Sequence, residues 1–265
     1  MNNTLRRPSV SMTVLASALT GIALFGAAKA HAQAAPAPAP TPEHTFATKV
    51  SVYSEYEYRG ISQTSEKPAL QLNLDYSHSS GFYLGTFLTN VKWLKDSAKA
   101  GGFKTNADIE WDIFGGFKFE LVKDVTMDIG YLRYEYPSSG AFNPKPNTDE
   151  VYVGLSGGPF SAKYSYSTST LFGFAGSKGS TFTELNWAQE VLPKFTMNAQ
   201  VARQTIKKNN DFSYTVYKIG GAYDLGDGWA LGGYYKDTNA KKASYTVLGK
   251  DWSKGRLVAF VSKSF

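Results

Sequence analysis

From Phe46 to Phe265 apolar and polar residues alternate with period two, and the connections between the alternating runs are by turns short and long. Period two is the spacing of an extended strand whose two faces meet different surroundings. The first run sets Phe46, Val50, Val52, Tyr56 and Tyr58 against Lys49, Ser51, Glu55, Glu57 and Arg59. The second sets Leu70, Leu72, Leu74 and Tyr76 against Gln71, Asn73, Asp75 and Ser77. The third, Phe82 to Trp93, is apolar on both faces and leaves its facing open. In the fourth, Ala107, Ile109, Trp111, Ile113, Phe117 and Phe119 oppose Asp108, Glu110, Asp112 and Lys118. Eight further runs follow, with Lys163, Lys218 and Lys236 on the polar faces of the seventh, tenth and eleventh. The last places Leu257, Ala259, Val261 and Phe265 on one face.

A soluble β-sandwich also alternates, so the connections decide. Those at 77–81, 120–124, 156–159, 192–194 and 224–228 are short. Those at 60–68, 95–104, 137–149, 170–180, 207–212 and 237–254 are mostly long and polar. Short turns at one end and longer loops at the other, with an even strand number, are the pattern of a transmembrane barrel. The fold expected is all-β, an antiparallel up-and-down transmembrane β-barrel of about twelve strands. A closed barrel leaves no strand edge unpaired, so the last strand must return to the first. Tyr58, Trp93, Trp111, Tyr136, Trp187 and Trp229 sit near run ends and are expected in the interfacial aromatic girdles.

Residues 1–32 read as an export signal: Arg6 and Arg7, an apolar stretch from Val10 to Ala28, then Ala30-His31-Ala32 as a small-x-small cleavage pattern. Residues 33–45 form an Ala/Pro-rich linker, expected in the periplasm, and the barrel occupies 46–265. Export combined with barrel strands points to a Gram-negative outer membrane. Of 28 Lys and Arg, Arg6, Arg7 and Lys29 lie in the signal, leaving 25 against 22 acidic residues. That balance gives no footprint for nucleic acid.

The sequence calls for no enzyme, cofactor or metal site. There is no cysteine, so thiolate chemistry and disulfides are excluded. The three histidines are His31 in the signal, His44 in the linker and His78 at a short turn, none placed to activate a serine. Glu110 and Asp112 share a face, but in a hydrated lumen they read as a solvated wall.

Two resemblances add to this reading. The final run, ending on Phe265, resembles the closing strand of bacterial outer-membrane barrels, which the barrel-assembly machinery reads by its terminal Phe. The stretch Tyr56-Glu57-Tyr58-Arg59-Gly60-Ile61-Ser62-Gln63-Thr64, with Pro68-Ala69-Leu70-Gln71, Leu74-Asp75-Tyr76-Ser77-His78 and Gly81-Phe82-Tyr83, resembles the opening of the TorF-type porin family. Ile109 to Gly116 and the Ser-Lys-Ser-Phe ending are also similar. Residues 87–91 depart from it, since the family tends to carry Trp and Ser before Asn-Val. The resemblance implies an outer-membrane pore and transfers no catalytic residue.

The expected function is a porin-like channel for passive diffusion of small hydrophilic solutes or ions. The alternative is a non-conducting barrel that acts as structural protein, adhesin or receptor, with 170–180 as a candidate plugging loop. The expected pore-lining residues are Glu55, Glu57, Arg59, Asp75, Asp108, Glu110, Asp112, Lys163, Lys218 and Lys236. Acids on strands one, two and four then face bases on seven, ten and eleven, with a mild preference for cations. The expected partners are outer-membrane lipids and lipopolysaccharide, the assembly machinery through Phe265, and small solutes.

Overall fold

The computed structural model describes residues 42–265; the expected export signal at 1–32 and the linker up to residue 41 lie outside the described residues. Twelve strands close into one barrel: β1 (His44–Tyr53), β2 (Ala69–His78), β3 (Phe82–Asn90), β4 (Ile109–Val122), β5 (Val125–Glu135) and β6 (Thr148–Gly157), followed by β7 (Phe160–Ser167), β8 (Thr181–Leu192), β9 (Phe195–Thr205), β10 (Tyr214–Gly226), β11 (Trp229–Thr238) and β12 (Arg256–Ser264). Each strand pairs antiparallel with its neighbours in the chain, and β12 returns to β1 with Lys49 opposite Ser264 and Tyr53 opposite Phe260. No helix among the described residues is long and apolar enough to cross a membrane; the crossing elements are strands.

The alternation sorts the side chains as the sequence predicts, and the result is inside-out relative to a water-soluble domain. Leu257 on β12 is 80% exposed on the outer surface, whereas Lys236, one register step away on β11, is 0% exposed inside. Phe46, Leu70, Ile129, Val153 and Leu231 likewise face out. An apolar outer surface on every strand is stable only against hydrocarbon, so this is a transmembrane barrel. Among the expected girdle residues, Trp111 and Trp229 stand on that surface. Tyr58 and Tyr136 do not: both are buried, within the interior core. Trp93 opens a short helix, α1 (Trp93–Ala100), and packs edge-on against Tyr136 instead of facing lipid.

The open facing of the third strand is settled by packing. Tyr83, Phe87 and Thr89 of β3 are buried inside, and Phe82 and Leu84 are exposed outside. Interior aromatics need space, and glycines on adjacent strands provide it. A Cβ on Gly130 would lie 2.1 Å from Tyr152 Oη, and one on Gly232 would lie 2.5 Å from the Phe260 ring. At the short-turn end, Gly81 takes φ +99° with its α-carbon against the Lys118 carbonyl, where a Cβ would stand 2.0 Å from the oxygen. Only glycine fits there.

The first run differs from its expectation. β1 stops at Tyr53, and residues 54–68 leave the wall. A two-residue hairpin, Glu57 and Tyr58 against Ile61 and Ser62, forms at their centre. Its tip, Arg59 (φ 48°) and Gly60 (φ 82°), has the doubly left-handed backbone of a type I′ turn, which matches the twist of a tight hairpin. Period two continues through both strand and hairpin, so the alternation alone could not mark the break.

Candidate functional site

The interior of the barrel is where the charged residues converge, and the first loop organises it. Its side chains bond to strands nearly all the way round. Tyr56 Oη donates to Glu110 Oε1 of β4 at 2.6 Å, and Tyr58 meets Tyr134 of β5 hydroxyl to hydroxyl. Arg59 donates to both carboxylate oxygens of Glu150 on β6, at 3.0 and 2.7 Å, and to Gln204 Oε1 of β9 at 3.0 Å. Lys218 of β10 pairs with Glu57, and Lys236 of β11 donates to the Gly60 carbonyl at 2.8 Å. Arg256 of β12 donates to Glu55 Oε1 at 2.8 Å.

Each bond has a local reason. A left-handed Arg costs about 1–2 kcal/mol relative to glycine, which the two-pronged contact with Glu150 offsets. The guanidinium also lies over the Phe182 ring at 4.3 Å and the Tyr58 ring at 4.9 Å. Burial works against its charge, and the paired Glu150 carboxylate compensates for it. Gly60 fits a notch: a Cβ there would be 2.6 Å from Thr238 Cγ2 and 3.0 Å from Val216 Cγ1.

Around these pairs the interior is dry at the level of the loop. Phe87, Asp112, Phe114 and Leu132 are buried, each at 2% exposure or less. Phe172 closes from the long-loop side, with its ring 5.1 Å from Tyr134 and 5.6 Å from Tyr58. The expected plugging stretch at 170–180 therefore supports the narrowing, while residues 54–68 make it. Toward the short turns the inward residues Lys49, Asp75, Lys118, Lys163 and Asn186 are only partly buried. The lumen is thus a wet vestibule at the short-turn end, narrowed by an infolded loop beyond it.

The expected pore-lining residues divide into groups. Asp75, Glu110, Asp112, Lys163, Lys218 and Lys236 face the interior from the strands, as the alternation predicts. Glu55, Glu57 and Arg59 are inside but on the loop, not on a strand face. Asp108 is a correction: it precedes β4, is about half exposed, and pairs with Lys95 of α1 at 2.6 Å. The opposed acidic and basic walls are corrected too, because loop residues bridge them. Glu57 neutralises Lys218, Glu55 neutralises Arg256, and Lys163 pairs with Glu184 of the adjacent strand at 3.1 Å. Glu150, Glu184 and Arg256 were missed as site residues. Period two in their runs, where apolar Val151 and Leu185 adjoin them, is sufficient to find Glu150 and Glu184.

One interior carboxylate is left over. Neither side-chain oxygen of Asp112 has a hydrogen-bond partner among the described residues, although the side chain is fully buried. Its neighbour two positions back, Glu110, is satisfied by two tyrosines, Tyr56 and Tyr136, at 2.6 and 2.8 Å.

An apolar shell, a charged interior and an infolded first loop define a twelve-stranded transmembrane β-barrel. The chain belongs to the bacterial family Gcw_chp, described as of unknown function, whose model matches residues 37–265. No curated protein matches it. Among solved structures, the NanC porin is similar with a TM-score of 0.54 at 13% identity, covering 83% of this chain and 99% of that one. The KdgM porin is similar with a TM-score of 0.53 at 8% identity, covering 83% and 99%. A KdgM porin in complex with disordered oligogalacturonate gives a TM-score of 0.51 at 8% identity, covering 83% and 98%. At these identities the likeness is one of fold.

Proposed function

We propose that the protein is a porin-like channel of the bacterial outer membrane, passing small hydrophilic solutes or ions by passive diffusion, with residues 54–68 as its constriction. The observation that carries this is the wet, charged vestibule, which ends at a loop held by side-chain bonds and not at a wall of the barrel. A loop so held narrows a lumen without sealing its wall, and charged side chains at a constriction govern what passes. The TorF-type motifs over residues 53–116 and the porin names of the similar folds support the same reading, as does the expected export signal. Lipids and lipopolysaccharide surround the outer face in this reading, and the assembly machinery takes the strand that ends at Phe265.

A second reading has an observation of its own. The buried layer of Phe87, Phe114 and Leu132 at the level of the loop favours a non-conducting barrel that serves as structural protein, adhesin or receptor. Single-channel recording on folded protein in planar bilayers separates the two. Discrete conductance steps are expected. If neither the wild-type chain nor a chain with the loop released conducts, the channel reading falls and the non-conducting barrel replaces it.

A further inference from the structure

Away from the lumen, on the outer surface at the short-turn rim, the fold brings together three side chains that the sequence scatters. His44 opens β1 and lies directly across from His78, the last residue of β2, with ring centroids 5.1 Å apart. Glu43 is fixed beside them by its own backbone, whose carbonyl accepts from the Ser79 amide at 2.9 Å. Glu43 Oε1 stands 3.3 Å from His78 Nε2. One ligand atom from each of the three lies within 4.8 Å of the others. We propose that Glu43, His44 and His78 form a binding site for a divalent transition-metal cation of the Zn²⁺ class, fastening β1 to β2 at the rim.

The donor set is two imidazoles and one carboxylate, which suits Zn²⁺, Cu²⁺ or Ni²⁺ over the oxygen-seeking Ca²⁺ and Mg²⁺. A tetrahedral Zn²⁺ takes nitrogen at about 2.0–2.1 Å and oxygen at about 2.0–2.2 Å, so its ligand atoms stand roughly 3.4 Å apart. From within 4.8 Å of one another the three ligand atoms reach that spacing by side-chain rotation, and solvent fills the fourth position. Both rings have a hydroxyl placed to orient them. His44 Nδ1 is 2.9 Å from Tyr76 Oη, and His78 Nδ1 is 2.8 Å from Ser80 Oγ. With Nδ1–H donating to its hydroxyl, each ring keeps Nε2 as the lone-pair nitrogen for the cation, the arrangement by which outer partners fix a metal-bound imidazole. At His78 this selects one of two tautomers, since the Ser80 amide also approaches Nδ1, at 3.1 Å. In the other tautomer Nε2–H donates to Glu43 and Nδ1 accepts from the Ser80 amide, so the proton passes through solvent to Nδ1 before Nε2 takes the cation. The rim position exposes the trio to water, so entry needs no opening of the barrel.

The test is titration of untagged, detergent-folded protein with ZnCl₂, followed by calorimetry, with CaCl₂ as control. One Zn²⁺ per chain is expected, with little response to Ca²⁺. His44→Gln and His78→Gln should each weaken binding by at least about tenfold, and Tyr76→Phe by a smaller factor. Comparing variants with the parent cancels any contribution of His31, the remaining histidine. Zn²⁺ should also raise the temperature at which the parent barrel loses its folded gel mobility, and leave that of His44→Gln unchanged. No binding at millimolar Zn²⁺ overturns the proposal. So does binding that survives both histidine substitutions, or binding with no effect on the melting of the parent.

Discussion

Arg59 and Glu150 stand 91 positions apart and share two hydrogen bonds, at 3.0 and 2.7 Å, across the interior of the barrel. The first comes from the tip of the first loop and the second from the wall of β6. The pair is buried on both sides, at 7% and 2% side-chain exposure. Bulk water does not screen it, so removing one partner leaves a charge with no solvent to take it. Such a change typically costs about 3–5 kcal/mol.

Arg59→Gln should therefore loosen the loop without harming the barrel wall, which keeps its own ladder. In planar bilayers the variant is expected to show larger and noisier conductance steps than the parent. Unchanged steps in a folded variant would remove Arg59 from the constriction.

The Glu57–Lys218 pair allows a cycle. Lys218→Met alone strands the Glu57 carboxylate, and hydrogen-exchange protection over residues 57–62 should fall about a hundredfold or more. Adding Glu57→Gln should restore most of that protection, because two neutral groups of similar size replace the pair. Equal losses in the single and double variants would show that the pair does not hold the loop.

Asp112 gives a test of selectivity. Replacing it with lysine puts a cationic side chain beside Glu110 at the level of the loop. Reversal potentials under a KCl gradient should shift toward anions, with heat-modifiable mobility unchanged. No shift in a conducting variant would place the selectivity elsewhere.

Orientation has its own readout. A tag inserted near Lys242, in the long loop between β11 and β12, should be labelled on intact cells, and one near Pro193, in a short turn, should not. The opposite pattern would invert the barrel in its membrane.

Strand faces were legible because a lipid-facing and a lumen-facing side impose period two directly, as Leu70 against Gln71 or Ile109 against Glu110 shows. The third strand was not, since Tyr83 and Phe87 fill space inside while Phe82 and Leu84 meet lipid outside, and apolarity alone does not separate these environments. Glu55, Glu57 and Arg59 were placed inside but given the wrong support, and Tyr56 and Tyr58, expected on the outward face, are buried with them. A hairpin and a strand share the same alternation, and the difference lies in Glu150, Lys218 and Arg256, far away in the chain. The trio of Glu43, His44 and His78 escaped for a similar reason: its spacing in sequence carries no ligand pattern, and only the β1–β2 register assembles it.

The notch that receives Gly60 is built by Val216 of β10 and Thr238 of β11, both far along the chain from the loop they hold. Lys236, which caps the Gly60 carbonyl, belongs to the same pair of strands. The receptacle does not exist until β10 and β11 have paired, so the hairpin cannot seat before they do. The far wall thus precedes the obstruction it receives, and a chain truncated before β10 would carry an unseated loop.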